Sequence, residues 1–355
     1  MSAYRVVVVG FGKRGVHHAT AFKKNSRFEL AAICDSDGSK LDKAPAELGS
    51  PKKFTDWKAM NKEVKPDIFC FCTPPFLRLP LIKAGIESGA KLIAYEKPMA
   101  LSMNEAIEIR KAVQAAGVKT VVSHQHRYGV HYKKVQEIVA SGAIGRVNTV
   151  YGHAVGWMMH MVTHMVDLTR WYNGNAEASW VMASAAGKGK LSDIHPSPDH
   201  LAMIIHFANG VRGYVETGAG APDVPEVDYW WRKNRVGAQG TDGFAEALTG
   251  GGWRAVTKNG AQSGEGCMNY DSDMPPYVDD MANWLDDGKK VHPCDGEGAY
   301  KGFEIVMAAL RAVVEGGQVA LPLGPGEPEI EALKKVLSDK PVILSLESSR
   351  KEYPK

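Results

Sequence analysis

The sequence predicts an α/β protein with two domains, the first built on a doubly wound parallel sheet and the second on an antiparallel sheet. Two observations support this. Through about residue 123, short apolar runs alternate with helical patterns, which is typical of a parallel sheet. After about Val147, strand patterns follow one another directly, and Asn209-Gly210 joins two of them as a strong hairpin turn. The predicted boundaries are 1–123, 124–324, and 325–355 for a C-terminal helix and charged tail.

The first domain contains five predicted strands separated by helical patterns. Arg5–Val9 is almost wholly apolar and β-branched, as expected for a strand buried on both faces. The other strands are Glu29–Cys34, Ile68–Cys72, Lys91–Ala94 and Thr120–Ser123, and the helices lie around Arg14–Lys24, Ser39–Leu48, Asp56–Glu63, Leu77–Ser88 and Ser102–Ala116. A ligand of such a sheet binds at the carboxyl ends of its strands, where five polar loops converge: Gly10–Gly15, Asp35, Thr73-Pro74, Glu96-Lys97 and His124–Arg127.

The second domain is predicted to be α+β, with helices on one face of its sheet. Its strands are Val147–Ala154, Ser179–Ala185, His200–Ala208, Val211–Thr217, Val236–Ala238 and Gly243–Leu248, and its helices lie around Met161–Tyr172, Pro276–Leu285 and Tyr300–Glu315. Gly187–Pro198, Gly218–Val227 and Gly250–Gly252 are predicted loops.

The turn after the first strand has the sequence Gly10-Phe11-Gly12-Lys13-Arg14-Gly15, a G-x-G-x-x-G motif. The first glycine permits the tight turn, the second allows close approach of a pyrophosphate, and the third lets helix and strand pack together. Asp35 ends the second strand at the distance where this motif places the acid that accepts ribose hydroxyls. The spacing predicts NAD as the cofactor, because a carboxylate repels the 2′-phosphate of NADP.

The composition of the chain argues against several classes of protein, among them nucleic-acid-binding, membrane and secreted proteins. The net charge of +3 and the absence of a basic cluster argue against a nucleic-acid partner, and no apolar run is long enough to cross a membrane. The first strand begins almost at the N-terminus, and the five cysteines include no C-x-x-C pair. We therefore expect a reduced, cytoplasmic protein with no signal peptide.

At Glu96-Lys97-Pro98 the chain resembles the glucose–fructose oxidoreductase/inositol dehydrogenase (Gfo/Idh/MocA) family of NAD(P)-dependent sugar oxidoreductases. The other matching segments are Gly10–Gly15, Thr73-Pro74, Gly89–Pro98, Arg127-Tyr128, Gly142–Val147, His164–Leu168 and Phe207–Gly210. The resemblance reaches about Leu323. It implies a Rossmann domain followed by an open antiparallel sheet used partly for oligomerisation, with a carbohydrate substrate bound between the domains against the nicotinamide. We therefore expect a homo-oligomer, dimer or tetramer.

The resemblance also implies roles for individual residues. Lys97 hydrogen-bonds the reacting hydroxyl and Glu96 contacts the nicotinamide ribose. The expected cofactor-binding residues are Gly10, Phe11, Gly12, Lys13, Arg14, Gly15, Asp35, Thr73, Pro74, Glu96, Lys97, Gln125 and Arg127, and the expected substrate-binding residues are Lys97, Tyr128, Trp157, His160 and His164.

Two positions depart from the family pattern. The family usually carries Asp-x-x-x-His on the catalytic helix, often after three glycines, whereas His160 stands here in the place of the Asp. A histidine often follows the Thr of Thr-Pro by five residues, and that place is occupied by Arg78. Both differences concern the substrate more than the cofactor.

His160, His164 and Asp167 fall on one face of a helix, and three interpretations remain open. His164 is a candidate general base, with His160 or Asp167 orienting it. The same residues offer zinc ligands, but the Glu of H-E-x-x-H is missing, so no metal is predicted. Histidines packed at a domain interface are the third interpretation. The catalytic residues expected on this basis are Lys97, His164 and His160.

The leading hypothesis is an NAD-dependent dehydrogenase acting on a sugar, inositol or glycoside hydroxyl. The first alternative is a glycosidase that oxidises a ring hydroxyl transiently, eliminates the aglycone and returns the hydride. The second alternative is a non-catalytic dinucleotide-binding protein, which the presence of both Lys97 and His164 disfavours.

Overall fold

The structure is a computed structural model that describes residues 3–340 and residue 342. Its contacts divide the chain into two compact units. The first unit comprises the residues up to Ala100, Glu105–Tyr128 and Asn269–Ala299. The second comprises Leu101–Asn104, Gly129–Met268 and the residues from Tyr300 onward. The contacts thus place Asn269–Ala299 with the N-terminal unit, whereas the sequence prediction groups this segment with the second domain.

The first unit is built on a parallel sheet that has six strands among the described residues: β1 (Tyr4–Val9), β2 (Phe28–Cys34), β3 (Lys52–Phe54), β4 (Ile68–Phe71), β5 (Leu92–Tyr95) and β6 (Lys119–Val122). Their order, β3-β2-β1-β4-β5-β6, is that of a Rossmann fold. Apolar residues of β1, β4 and β5 are fully buried, which confirms the doubly covered parallel sheet. The edge strand β3 is short and half exposed, and the sequence pattern did not predict it.

The helices around this sheet are α1 (Lys13–Lys24), α2 (Gly38–Asp42), α3 (Trp57–Val64), α4 (Arg78–Glu87) and α5 (Met103–Ala116). The predicted helix around Ser39–Leu48 is in fact α2 followed by a short 3₁₀ helix at Ala46–Leu48, with Pro45 between them.

Helix α8 (Tyr270–Asp286) packs against α1 in the first unit, although the two helices are far apart in the sequence. Arg27, which lies between α1 and β2, adds two ion pairs to α8, with Asp279 at 2.9 Å and with Asp286 at 2.6 Å. The helix begins before the predicted Pro276, because the Asn269 side chain accepts a hydrogen bond from the Asp271 N–H and caps it.

The second unit is built on a sheet that has nine strands within the described part of the chain. They are β7 (Val147–Ala154), β8 (Ala178–Ala186), β9 (His200–Phe207), β10 (Arg212–Gly218), β11 (Asn234–Gly240), β12 (Phe244–Leu248), β13 (Gly252–Thr257), β14 (Gly260–Gly264) and β15 (Val319–Ala320), in the order β14-β13-β12-β11-β7-β10-β9-β8-β15. The sheet is mostly antiparallel, as the sequence predicts, and β7 and β10 pair in parallel within it. The hairpin β13–β14 lies beyond the predicted glycine-rich loop Gly250–Gly252.

Within the described residues, four further helices belong wholly or mainly to the second unit: α6 (Val130–Ala140), α7 (Met158–Tyr172), α9 (Gly296–Glu315) and α10 (Glu329–Val336). Helix α7 lies directly on the sheet, and at Gly152 of β7 a Cβ atom would be only 3.3 Å from the Cβ of Met165. Helix α7 begins at Met158, earlier than predicted, so His160 lies in its first turn. The predicted C-terminal helix corresponds to α10, whereas the tail beyond residue 342 lies outside the described residues. No helix among the residues described is long and apolar enough to cross a membrane.

The glycine turn between β1 and α1 supplies a direct test of this fold. At Gly15 a Cβ would be 2.0 Å from the carbonyl oxygen of Gly10, whereas at Gly12 it would meet nothing within 4 Å. We expect Gly15→Ala to lower the free energy of unfolding by about 1–3 kcal/mol, because the backbone must move to admit the methyl group. The matched Gly12→Ala variant should stay within about 0.5 kcal/mol of the parent. Urea unfolding followed by circular dichroism measures both, and equal stability of the two variants would contradict this packing.

Candidate functional site

The turn that follows β1 is shaped to receive an anion. Gly10 has a φ of 85°, and a Cβ there would lie 2.8 Å from the carbonyl carbon of Cys72. Gly12 precedes the first turn of α1, where no acidic residue lies and where Lys13 and Arg14 add positive charge. Because a Cβ at Gly12 would meet no atom, the N–H groups of this helix end remain approachable. The site fits the pyrophosphate of a dinucleotide.

Asp35 lies directly beneath this turn, at the end of β2. Its carboxylate accepts hydrogen bonds from the N–H groups of Phe11 at 2.7 Å and Asp37 at 2.9 Å. Lys40 lies 3.2 Å from the same carboxylate. Two backbone donors fix the orientation of the side chain, and a carboxylate offers enough lone pairs to accept ribose hydroxyls as well.

Glu96, which follows β5, forms a buried ion pair with α1. Its Oε1 atom lies 2.8 Å from Nη2 and 2.9 Å from Nε of Arg14, and 3.1 Å from Nε2 of His18. Burial alone would raise the pKa of Glu96, but Arg14 and His18 outweigh it and hold that pKa well below its ordinary value. Glu96 therefore carries a negative charge that these two side chains neutralise. The ribose contact implied by the resemblance stays a prediction.

Arg78, at the start of α4, is only 1% exposed and binds backbone carbonyl groups on both sides of the candidate site. It donates to the carbonyl oxygens of Thr73 at 2.8 Å, Pro98 at 2.9 Å and Lys97 at 3.4 Å. The guanidinium thus joins the loop after β4 to the segment after β5. In the sequence, Arg78 is visible only as a departure from the family pattern. Its hydrogen bonds to three backbone carbonyl groups could not be predicted from that position.

Lys97 is half-buried between these charged groups. Its removal from water lowers its pKa to about 8, the neighbouring charge of Glu96 opposes that change, and Arg14 and Arg78 reinforce it. An ammonium group with this pKa is protonated at neutral pH but gives up its proton more easily than a surface lysine. It can donate a hydrogen bond to an oxygen atom that gains negative charge.

The loop after β6 forms a short 3₁₀ helix, Gln125–Tyr128, whose residues are all buried. Gln125 accepts a hydrogen bond from the Ser123 hydroxyl at 3.2 Å. The hydroxyl of Tyr128 donates to Asp280 at 2.8 Å, and its ring packs edge-on against Tyr277 at 5.7 Å. Tyr128 therefore anchors α8 within the first unit, and its predicted contact with a substrate remains a prediction.

Helix α7 carries the candidate residues of the second unit. His164 and Asp167 are buried, at 4% and 5% exposure. His160, one turn earlier, is half-buried, and its ring lies 5.2 Å from that of Trp157 and 5.5 Å from that of Trp231, on which it stacks. The rings of Trp230 and Trp231 stack at 4.0 Å. This aromatic cluster offers flat apolar surfaces of the kind that pack against a sugar ring.

His18 and His195 are two further residues whose place the sequence did not reveal. His18 lies one helical turn after Arg14, which is the only local signal that both could reach Glu96. The ring centre of His195 lies 4.4 Å from that of His160. The sequence spacing of His160 and His195 does not predict that their rings meet.

Comparison with known proteins agrees with this geometry. Residues 4–124 match a family described as an oxidoreductase family with an NAD-binding Rossmann fold. The D-glucoside 3-dehydrogenase of Escherichia coli is 24% identical over 247 residues, covering 61% of this chain and 70% of that protein. A glycosyl hydrolase family 109 protein of Shewanella baltica is 27% identical over 355 residues, covering 86% of this chain and 75% of that protein.

The fold of both units recurs in solved structures. An oxidoreductase from Agrobacterium radiobacter, crystallised with NAD⁺, L-tartaric acid and magnesium, superposes with a TM-score of 0.76 at 17% identity. The alignment covers 90% of this chain and 98% of that one. The match therefore assigns residues 4–124 to the NAD-binding Rossmann domain of the Gfo/Idh/MocA oxidoreductases, with NAD as the cofactor, and the chain as a whole is similar to these relatives.

Proposed function

We propose that this protein transfers a hydride between NAD and a hydroxyl-bearing carbon of a sugar, inositol or glycoside. The observation that carries the proposal is the arrangement around Lys97. The amine of this residue is half-buried and has a lowered pKa. It directly follows Glu96, whose ion pair with Arg14 joins the end of β5 to helix α1. The name of the Escherichia coli relative, a D-glucoside 3-dehydrogenase, supports the substrate class.

Individual residues of the chain would then have distinct roles in the reaction. NAD, when bound, accepts or returns the hydride. The Lys97 ammonium donates a hydrogen bond to the substrate oxygen, which gains negative charge as its hydroxyl proton is removed and loses that charge again as the hydride leaves the carbon. His164 takes the hydroxyl proton as general base, with Asp167 or His160 orienting it. Trp157 and its aromatic neighbours exclude water and contact the sugar ring.

The proposal is tested with a panel of sugars, inositols and glycosides in the presence of NAD, by following the absorbance of reduced nicotinamide. We expect at least one member to give continuous reduction. A protein that binds NAD but neither reduces it with any member nor releases an aglycone from any glycoside would contradict the proposal.

A redox-assisted glycosidase is the second candidate, and the relatives named as glycosyl hydrolase family 109 proteins favour it. Here the ring hydroxyl would be oxidised by transfer of its carbon-bound hydride to NAD, the neighbouring carbon would lose a proton, and the aglycone would leave with the bonding electron pair. Water would then add to the resulting double bond, and the hydride would return to the carbonyl carbon. Release of a chromogenic aglycone without net reduction of NAD would distinguish this function from the dehydrogenase.

A homo-oligomer, dimer or tetramer, is part of the proposal. Met182, Ile204 and Tyr214 are exposed to 43%, 39% and 42%, and they lie side by side on the paired strands β8, β9 and β10. A contiguous apolar patch of this kind is typical of a subunit interface. We also propose a cytoplasmic location and no nucleic-acid or membrane partner.

Replacement of Lys97 by methionine should abolish turnover with little effect on cofactor affinity. We expect kcat to fall by about 10²–10⁴-fold, because the lost donor acts on the transition state, while the Kd for NAD changes only a few-fold. The exposed Lys83 of α4 provides the matched control, and Lys83→Met should retain full activity.

The pH profile supplies an independent check on Lys97. Since the ammonium form is the active one, it is present below its pKa, and kcat/KM should decline as the pH rises through about 8. If Lys97→Met turned over normally, Lys97 would not be the hydrogen-bond donor to the substrate. The same conclusion would follow if the residual activity of Lys97→Met showed the same decline of kcat/KM at alkaline pH as the wild type.

Asp35 should set the preference for NAD over NADP. We expect kcat/KM to favour NAD in the wild type. Asp35→Ala should lower the ratio of kcat/KM for NAD to that for NADP by at least about tenfold, because the carboxylate no longer repels the 2′-phosphate. Lys40, which lies 3.2 Å from Asp35, is then free to bind that phosphate. The exposed carboxylate of Asp42, on the same short helix as Lys40, is the control, and Asp42→Ala should keep the preference. A wild-type preference for NADP would show that Lys40 already binds the phosphate.

A further inference from the structure

Three potential metal ligands meet beside the aromatic cluster of the second unit. His160 lies in the first turn of α7, and Asp193 and His195 lie in the segment between β8 and β9. One ligand atom from each residue lies within 4.8 Å of the other two, and all three side chains are half-buried. We propose that His160, Asp193 and His195 form a binding site for a divalent transition-metal ion of the zinc type.

The donor set matches the preferences of zinc. Two imidazole nitrogens and one carboxylate oxygen, with a fourth position left for water or another oxygen ligand, make up a familiar three-ligand zinc site. Cobalt and nickel accept the same donors, whereas magnesium and calcium prefer oxygen atoms alone. This set differs from the helix face considered in the sequence analysis, since it takes only His160 from α7 and draws the other ligands from a loop.

The distances call for a small adjustment on binding. Ligand atoms around tetrahedral zinc lie about 3.3 Å apart, given metal–ligand bonds near 2.0–2.1 Å. Atoms that already lie within 4.8 Å of one another reach that spacing by side-chain rotation, with small shifts of the loop.

The surroundings hold the three ligands in place. The N–H of His195 donates to Oδ1 of Asp193 at 3.1 Å, so the two loop ligands form one local turn. The ring of His160 stacks on Trp231 and meets the His195 ring at 66°. Such supporting contacts orient ligands and strengthen binding.

Lys190 competes with a metal ion for the same carboxylate. Its ammonium lies 3.6 Å from Asp193 and 4.4 Å from the centre of the Trp157 ring. A metal ion must displace or repel this positive charge. Removal of the charge should therefore tighten metal binding, which a merely structural role of the three ligands would not predict.

The inference goes beyond the proposed function and does not depend on it, because metal binding can be measured without substrate or turnover. A metal ion here would present its open position to an oxygen ligand such as a hydroxyl or carboxylate group, beside the aromatic surface of Trp157 and Trp231.

The experiment uses the full-length protein, stripped of metal by a chelator, and titrates it with Zn²⁺ in a calorimeter. We expect one ion per chain. His195→Ala and Asp193→Asn should each weaken binding by at least about 100-fold, since each removes a direct ligand. His153→Ala, which removes a half-buried histidine of β7 outside the cluster, should bind as the wild type does. Lys190→Gln should bind more tightly than the wild type.

A second measurement covers the case in which a variant fails to fold. Co²⁺ added to the metal-free wild type should give the visible absorption bands of a four- or five-coordinate ion with nitrogen and oxygen ligands. The absence of these bands, or Zn²⁺ affinity that is the same in the wild type and in a folded His195→Ala variant, would overturn the proposal. NAD binding by the same variants, through the glycine turn of the other unit, should remain unchanged.

Discussion

The buried ion pair of Glu96 with Arg14 and His18 is the interaction on which the first unit most depends. Arg14 belongs to the first turn of α1, which the glycine motif begins, whereas Glu96 directly follows β5 and precedes Lys97. A buried carboxylate is tolerated only when opposite charge and hydrogen bonds compensate for the lost water, and removal of one partner leaves a charge unpaired at high cost. The ion pair therefore fixes the helix that follows the glycine turn relative to the end of β5, where Lys97 lies.

Arg78 completes this arrangement from the other side of Lys97. Its donors bind carbonyl oxygens of the loop after β4 and of the segment after β5, so a single cation holds both backbones. Lys97 thus lies near two guanidinium groups and one carboxylate. Their charges partly cancel, and the withdrawal of Lys97 from water decides the direction in which its pKa moves. The same residues that hold the backbone also adjust the acidity of the amine.

Much of the cofactor site could be predicted from sequence, because its signals are local. The spacing from Gly10 to Gly15, the buried run before it and the acid at Asp35 all follow from the geometry of one strand-turn-helix unit. In the structure the Asp35 carboxylate accepts a hydrogen bond from the N–H of Phe11 within that turn, so the strand end and the turn lie together as the motif requires. The alternation of strands and helices in the first unit and the Asn209-Gly210 hairpin follow from patterns that each lie within a few residues.

The features that sequence analysis missed depend on contacts between distant parts of the chain. The partners of Glu96 lie on a helix near the N-terminus, α8 returns to pack on α1, and β7 pairs in parallel with β10 only after two strands have intervened. Similarly, the meeting of His160 with His195 depends on where the loop after β8 folds back. Periodicity and spacing report which face of an element is apolar, but they do not report which distant element covers it.

The central claim is that Glu96 and its partners form a charged network inside the first unit, and the protonation state of His18 tests it most directly. Burial alone would lower the pKa of His18, but its interactions with Cys72 and Glu96 raise that pKa to about 9. In protein labelled with ¹⁵N-histidine, and with His18 assigned by comparison with a His18→Gln variant, the account predicts imidazolium shifts at pH 8. A neutral His18 ring at pH 7 would contradict it.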